Sequence, residues 1–144
     1  MPLKLELQKT MEAQPERGWV PAEFYHMVAD GAVVGTIQLR LGNSEDLRLY
    51  GGQVGYSVVP EHRGHGHAGA ALRLLVPIAR QHGMAELWIT CTPDNMASRR
   101  TLEKVGAVYV ETVRVPLDSD LHARGDYEMR RYRLDLPIGA RCQD

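Results

Sequence analysis

The sequence predicts an α/β fold, a mixed, mostly antiparallel β-sheet flanked by helices on both faces. Three observations carry this. Short apolar runs follow one another in the order strand, turn, strand, strand, strand, helix, strand, helix, strand, strand. Asp30-Gly31 between two apolar runs marks a tight hairpin. The chain has 144 residues, 44% hydrophobic and 24% charged, which is the size and make-up of one globular domain. A single domain over residues 1–144 is therefore expected.

Leu3, Leu5 and Leu7 alternate with polar residues and predict a short first strand. Residues 8–20, with Pro15 and Gly18, read as a turn or a broken short helix. Phe24–Ala29 and Val33–Leu41 form the hairpin around Asp30-Gly31. Residues 42–52 are a glycine-bearing loop, with an extended piece at Leu47–Tyr50. Gln53–Val59 is a strand stopped by Pro60. Ala68–Gln81 reads as a helix with Ala71, Leu75 and Ala79 on one face. Leu72 and Val76 lie beside them, and Leu74 and Ile78 widen the buried side. Pro77 should bend this helix, and Gly83 ends it. Leu87–Thr92 is a strand, 95–104 a helix stopped by Gly106, and Ala107–Val115 a strand. A polar loop at 116–126 leads to the last strand, Tyr127–Leu136.

Composition excludes several classes. A net charge of −1 provides no field for a long polyanion, so nucleic acid is not an expected partner. No apolar run is long enough to span a membrane, and the first residues lack the apolar core of a secretory signal. Cys91 and Cys142 form no disulfide framework, which fits reduced thiols and a cytoplasmic location. Cys142, near the C-terminus, is expected to fray.

The informative stretch is 55–68, GYSVVPEHRGHGHA. A strand ends, a glycine loop follows, and a helix starts. Gly64 and Gly66 let the backbone approach a ligand, and loop amides can converge on an anion. The helix start adds unpaired N–H groups and a positive dipole end, and Arg63 adds a cation. The expected ligand is a phosphate or pyrophosphate. A Walker A ending is absent. The spacing Gly64-His-Gly-His-Ala-Gly69 loosely matches a dinucleotide fingerprint, but it follows the fourth strand rather than the first.

Arg63-x-x-Gly66-x-Ala68 after a strand ending Val-Val-Pro resembles the coenzyme A loop of the GNAT superfamily of N-acetyltransferases. Thr92-Pro-Asp-Asn95-x-x-Ser98, running on to Glu103-Lys104-x-Gly106, resembles the family's second signature helix. The resemblance covers about residues 24–136. Gly35-x-Ile-x-Leu-Arg40, Gly52-x-x-Gly55-Tyr56 and Ile89-Thr-Cys91 look like a branch of acetyltransferases with unassigned substrates. It implies a GNAT-like fold and acetyl-CoA as cosubstrate. The amides of Arg63, Gly64, His65, Gly66, His67 and Ala68 would hold the pyrophosphate. The backbone of Val58 and Val59 would pair with the pantetheine arm, and an amide there, assigned to Val58, would face the thioester carbonyl. Asn95 would bond the pantetheine or cap its helix, and Ser98 would sit near the sulfur.

The sequence departs from the family pattern twice. Many members carry a tyrosine four residues after the Ser98 position, where it protonates the leaving thiolate; here the residue is Leu102. Ser98 or water would then donate. The N-terminal segment is also shortened, because residues 8–20 cannot hold the family's one or two helices. An attacking amine needs a base. Tyr56, Glu61, His62 and Glu86 are near, and the sequence does not choose among them or a water chain.

Plainer readings stand beside these. His62, His65 and His67 lack carboxylate or cysteine partners at ligand spacing, so no metal is expected. Cys91 reads as a small buried hydrophobe. Arg99-Arg100 reads as a solvated helix face, and Arg131 and Arg133 as an exposed strand face. Trp19, Phe24, Tyr25 and Tyr50 would line an acceptor pocket or simply pack. The implied reaction is acetyl transfer from acetyl-CoA to a primary amine, on a small molecule or a peptide, by direct attack in a ternary complex. The alternative is a non-catalytic acyl-CoA-binding sensor or partner subunit. The resemblance also allows a homodimer.

Overall fold

The computed structural model describes residues 3–17 and 20–136. Gly18, Trp19 and Cys142 lie outside them. The elements are β1 (Leu3–Met11), β2 (Ala22–Ala29), β3 (Ala32–Arg40), β4 (Val54–Val58), α1 (His67–Gln81), β5 (Glu86–Cys91), α2 (Met96–Lys104), β6 (Val108–Arg114), α3 (Asp120–Ala123) and β7 (Glu128–Asp135). Between β1 and β2 there is a one-turn 3₁₀ segment, Pro15–Arg17, and no α-helix among the described residues.

The hairpin forms where the sequence places it. Asp30 and Gly31 both have positive φ, 53° and 77°, the mark of a type I′ turn. Two antiparallel sheets result, one ordered β1-β2-β3-β4 and one ordered β5-β7-β6. The mixed sheet read from the sequence is thus two antiparallel blocks, with no ladder between β4 and β5 among the described residues.

Gln53 joins the blocks. Its backbone N–H donates to the Trp88 carbonyl at 2.7 Å, and its own carbonyl accepts the Arg40 N–H at 2.8 Å. Its side-chain oxygen accepts the Trp88 N–H at 2.8 Å, and its Nε2 donates to the Gly42 carbonyl at 2.6 Å. The residue is 2% exposed. Gly52 before it has a φ of 77°, and a Cβ there would lie 3.1 Å from the Thr90 nitrogen. Only glycine satisfies both demands.

One core serves both blocks. Tyr25, Met27, Ile37 and Leu39 of the first sheet meet Ala71, Leu72, Leu75 and Ala79 of α1. Leu87, Ile89, Tyr132 and Leu134 of the second sheet join the same cluster. Val76 and Ile78 pack against this cluster as expected, but Leu74, 38% exposed, does not. Helical segments flank the sheets on both faces. α1 packs on β1, β3 and β4, and a helical turn at Leu47–Gly51 packs on β5 and β7. That turn covers the face opposite the core, where Trp88, Thr90 and Arg131 project.

Two expectations are corrected there. Leu47–Gly51 is helical, not extended, because tertiary donors take its carbonyls. Thr90 Oγ1 donates to the Tyr50 carbonyl at 2.8 Å, and Arg131 Nε donates to the Arg48 carbonyl at 3.0 Å. Arg131 is accordingly buried, with its guanidinium 4.4 Å from the centre of the Trp88 ring and ion-paired to Glu111. The polar loop at 116–126 also contains α3, capped by Ser119, whose Oγ accepts the His122 N–H at 3.2 Å.

Replacing Gln53 with Leu would leave the Trp88 N–H and the Gly42 carbonyl buried without these partners. A loss of roughly 2–4 kcal/mol is expected in urea unfolding. An unchanged midpoint would show that the joint does not depend on this amide.

Candidate functional site

From the pinned point at Gln53, β4 runs on to Val58 and β5 to Cys91 without a shared ladder, so a gap opens between them. Backbone groups in an antiparallel strand alternate sides. Arg40 N–H bonds the Gln53 carbonyl, and Val59 N–H bonds the Val34 carbonyl at 2.8 Å, so the odd-numbered residues serve β3. The polar groups of Val54, Tyr56 and Val58 therefore face the gap. Val59 N–H is spent on β3, and its carbonyl accepts the His62 N–H at 2.8 Å. Of the expected pair, Val58 supplies the outward amide and Val59 does not. The Val58 carbonyl accepts Arg63 Nε at 3.0 Å, which folds the Arg63 side chain back over the end of β4.

The loop continues through a 3₁₀ turn at Pro60–His62. Gly64 and Gly66 have φ of 85° and 76°. A Cβ at either would meet nothing within 4 Å, so conformation rather than crowding calls for glycine. Gly66 caps α1 without a side-chain bond, and its carbonyl accepts the Ala70 N–H at 3.1 Å. The N–H groups of His67, Ala68 and Gly69 have no intrahelical acceptor, and no acidic side chain sits in the first turn. Loop and helix end thus form an open, electropositive set of donors beside the strand edge. That donor set suits a pyrophosphate, and a strand edge with a free amide suits an extended amide-bearing chain.

The rings of His65 and His67 are 5.8 Å apart, and both side chains border the loop. His67 is held below the ordinary histidine range, by desolvation first and then by the like charges of His65 and His62. Among the described residues no group of three or more His, Cys, Asp and Glu is placed to hold a metal ion. Nor is any described helix long and apolar enough to cross a membrane.

The far wall of the gap is α2. Asn95 is its N-cap, with Oδ1 accepting the Ser98 N–H at 3.1 Å. Capping was one of the two roles open to it. Arg99 is half-buried and donates to the Pro93 carbonyl at 3.0 Å, so of the Arg99-Arg100 pair only Arg100 is a solvated side chain. Ser98 is 9% exposed, and its Oγ shares a 2.7 Å hydrogen bond with the Tyr56 hydroxyl. Tyr56 therefore reaches from β4 across to α2. Burial pushes its hydroxyl up to about 12, against the opposing effect of the Ser98 bond. It stays protonated at neutral pH and cannot be the base. Burial likewise holds the Cys91 thiol above its ordinary value, so it remains a neutral thiol. Leu102 is fully buried in the core and presents nothing to the gap.

Other candidates fall away from this centre. Glu86 sits at the pinned end of β5, where it accepts the Trp88 indole N–H at 2.7 Å. Tyr25 is buried and donates to Glu23 at 2.7 Å. Tyr50 belongs to the helical turn under the second sheet. Phe24 lies under Lys9, 5.0 Å from its ammonium, in an open groove of about 460 Å³ on the other face of the first sheet. His26, Thr36, Gln38 and Ser57 share that groove. The Tyr56–Ser98 pairing was not visible in the sequence. The only signal was strand parity, which puts Tyr56 on the same side as the buried Val54.

The acetyltransferase (GNAT) family model matches residues 2–107. Solved structures of the same fold include the microcin C7 self-immunity acetyltransferase MccE in complex with acetyl-CoA and AMP. It is 16% identical, with a TM-score of 0.64 over 79% of this chain and 61% of that one. RimL, the ribosomal L7/L12 alpha-N-protein acetyltransferase, is 18% identical, with a TM-score of 0.61 over 84% and 72%. A ribosomal-protein-S5-alanine acetyltransferase from Vibrio fischeri is 17% identical, with a TM-score of 0.64 over 81% and 63%. The chain thus spans less than two thirds of the length of MccE and of the Vibrio protein. No curated protein sequence matches the chain.

Replacing His65 with Ala should raise the pKa of His67 by removing a like charge, yet leave it below the ordinary value because desolvation persists. A ring-proton NMR titration reads this directly. A His67 curve unmoved by the substitution would exclude coupling between the two rings.

Proposed function

Because the chain belongs to the acetyltransferase (GNAT) family, we propose that it moves an acetyl group from acetyl-CoA to a primary amine by direct attack in a ternary complex. One observation carries this reading: the outward strand edge at Val58 lies beside a loop-and-helix set of unpaired amides. A molecule with a pyrophosphate at one end and an amide-rich arm at the other fits both.

In this reading the amides of Gly64, His65, Gly66, His67 and Ala68 hold the pyrophosphate, helped by the Arg63 charge. The pantetheine arm lies along Val58 as an added strand. The Val58 N–H faces the thioester carbonyl and stabilises the oxyanion formed when the amine attacks. One such donor elsewhere contributes about 2.7–4 kcal/mol. Asn95 holds α2 in place so that Ser98 borders the sulfur. Cys91, kept neutral by burial, takes no part as a nucleophile, so Cys91→Ala should remain active. The acceptor is an amine on a small molecule or a peptide. The catalytic unit runs past the matched residues, since Tyr132, Leu134 and Leu136 share the core with β2 and α1.

A second reading, a non-catalytic acyl-CoA-binding subunit, draws support from Leu102, which carries no acid. Turnover with any amine excludes it.

Thermal unfolding with acetyl-CoA, against ATP and NAD as controls, tests the site. At a hundred times its Kd the ligand should add about 2.7 kcal/mol and raise Tm by several degrees. Gly66→Val, which strains a φ of 76° and puts a side chain at the loop, should lose that shift. No shift at millimolar acetyl-CoA would overturn the reading.

A further inference from the structure

We propose that Tyr56 is the hydrogen-bond donor to the departing sulfur and that Ser98 positions it, a role for this hydroxyl pair that rests on the acetyl-transfer reading above. The argument is geometric. Tyr56 stands two residues before Val58, so their side chains leave the same face of β4 and their backbone polar groups share the edge that faces the gap. Its hydroxyl crosses to Ser98 on α2, 2.7 Å away, and the pair spans the gap from one wall to the other. The titratable and charged groups around this pair are Cys91, Tyr132, Arg130, Arg99 and Glu103. Cys91 is a neutral thiol, the Tyr132 side chain is fully buried, and the Arg130 guanidinium sits 4.0 Å from the centre of the Tyr109 ring. Leu102, four residues after Ser98, carries no donor.

The step balances as follows. The amine lone pair forms the N–C bond and the C–S bond breaks, its electron pair leaving on sulfur. The amine's proton goes to solvent. The new thiolate accepts the Tyr56 O–H, while Ser98 O–H donates to the Tyr56 oxygen. A coenzyme thiol is more acidic than this phenol, for which burial sets a value of about 12. Tyr56 therefore stabilises the thiolate without surrendering its proton, and water supplies the final proton.

The test needs no acceptor. Coenzyme A bound to the protein is titrated by its ultraviolet thiolate absorbance, with desulfo-coenzyme A on the same protein as reference to cancel the protein's tyrosines and Cys91. The acid dissociation constant of the bound thiol should be roughly tenfold or more larger in the wild type than in Tyr56→Phe. Ser98→Ala should show a smaller loss, and the double variant should match Tyr56→Phe, since Ser98 acts through Tyr56. Affinity for coenzyme A should stay within about threefold, because a single neutral donor to the uncharged thiol contributes little net. With any accepted amine, kcat should fall by the same factor while KM for acetyl-CoA holds. An unchanged acid constant in Tyr56→Phe, with coenzyme A still bound, overturns this proposal and leaves the acetyltransferase reading standing. Failure of the wild type to bind coenzyme A overturns both. Should Tyr56→Phe fold poorly, the Ser98→Ala titration decides alone, and no change there sinks the pair.

Discussion

Everything else in this molecule depends on the joint at Gln53. Four hydrogen bonds from one buried residue fix the end of β3, the start of β4 and the middle of β5 relative to one another. A buried primary amide is costly unless its oxygen and nitrogen are both satisfied. Here the Trp88 N–H and the Gly42 carbonyl satisfy them, which also defines the orientation of the amide. Because the joint is a point and not a ladder, β4 and β5 separate beyond it. The gap is a geometric consequence of fixing two twisted sheets at one end.

That gap supplies the chemistry with its parts. An unpaired strand edge is a liability in most proteins, since it invites another strand. Here the edge at Val58 ends in a loop with positive-φ glycines at Gly64 and Gly66, and α1 adds its own unpaired N–H groups. In the proposed reading a diphosphate and an amide chain satisfy both sets at once. α1 begins with glycine and histidine and without a serine or aspartate cap, which leaves those N–H groups unoccupied by a side chain.

The shortened N-terminal segment has a structural counterpart. β1 runs on to Met11, and among the described residues a single 3₁₀ turn, Pro15–Arg17, lies between it and β2. The face of the first sheet opposite α1 consequently carries Phe24, His26, Thr36, Gln38 and Ser57 in an open groove instead of a packed layer. The second sheet differs because the turn at Leu47–Gly51 covers the corresponding face, held by Thr90 and Arg131. One chain thus has a core shared by both sheets and an outer face sealed on one sheet only.

The hairpin, the order of elements, the glycine loop and the caps of α1 and α2 were legible in the sequence, because local chemistry determines them. Asp-Gly dictates a positive-φ turn, periodicity dictates helix or strand, and Gly64 and Gly66 stand where backbone φ must be positive. The rest depended on partners far along the chain. Leu47–Gly51 reads as extended until Thr90 and Arg131 take its carbonyls, and Arg131 reads as a surface residue until Trp88 and Glu111 enclose it. Val58 and Val59 look equivalent until pairing with β3 spends the amide of one and leaves the other facing the gap. The sequence by itself determined most of the elements and the glycines that shape the loop before α1. Tertiary structure alone decided that Tyr56 would meet Ser98, 42 positions away, because long-range hydrogen bonds are set by how sheets and helices pack and leave no local trace.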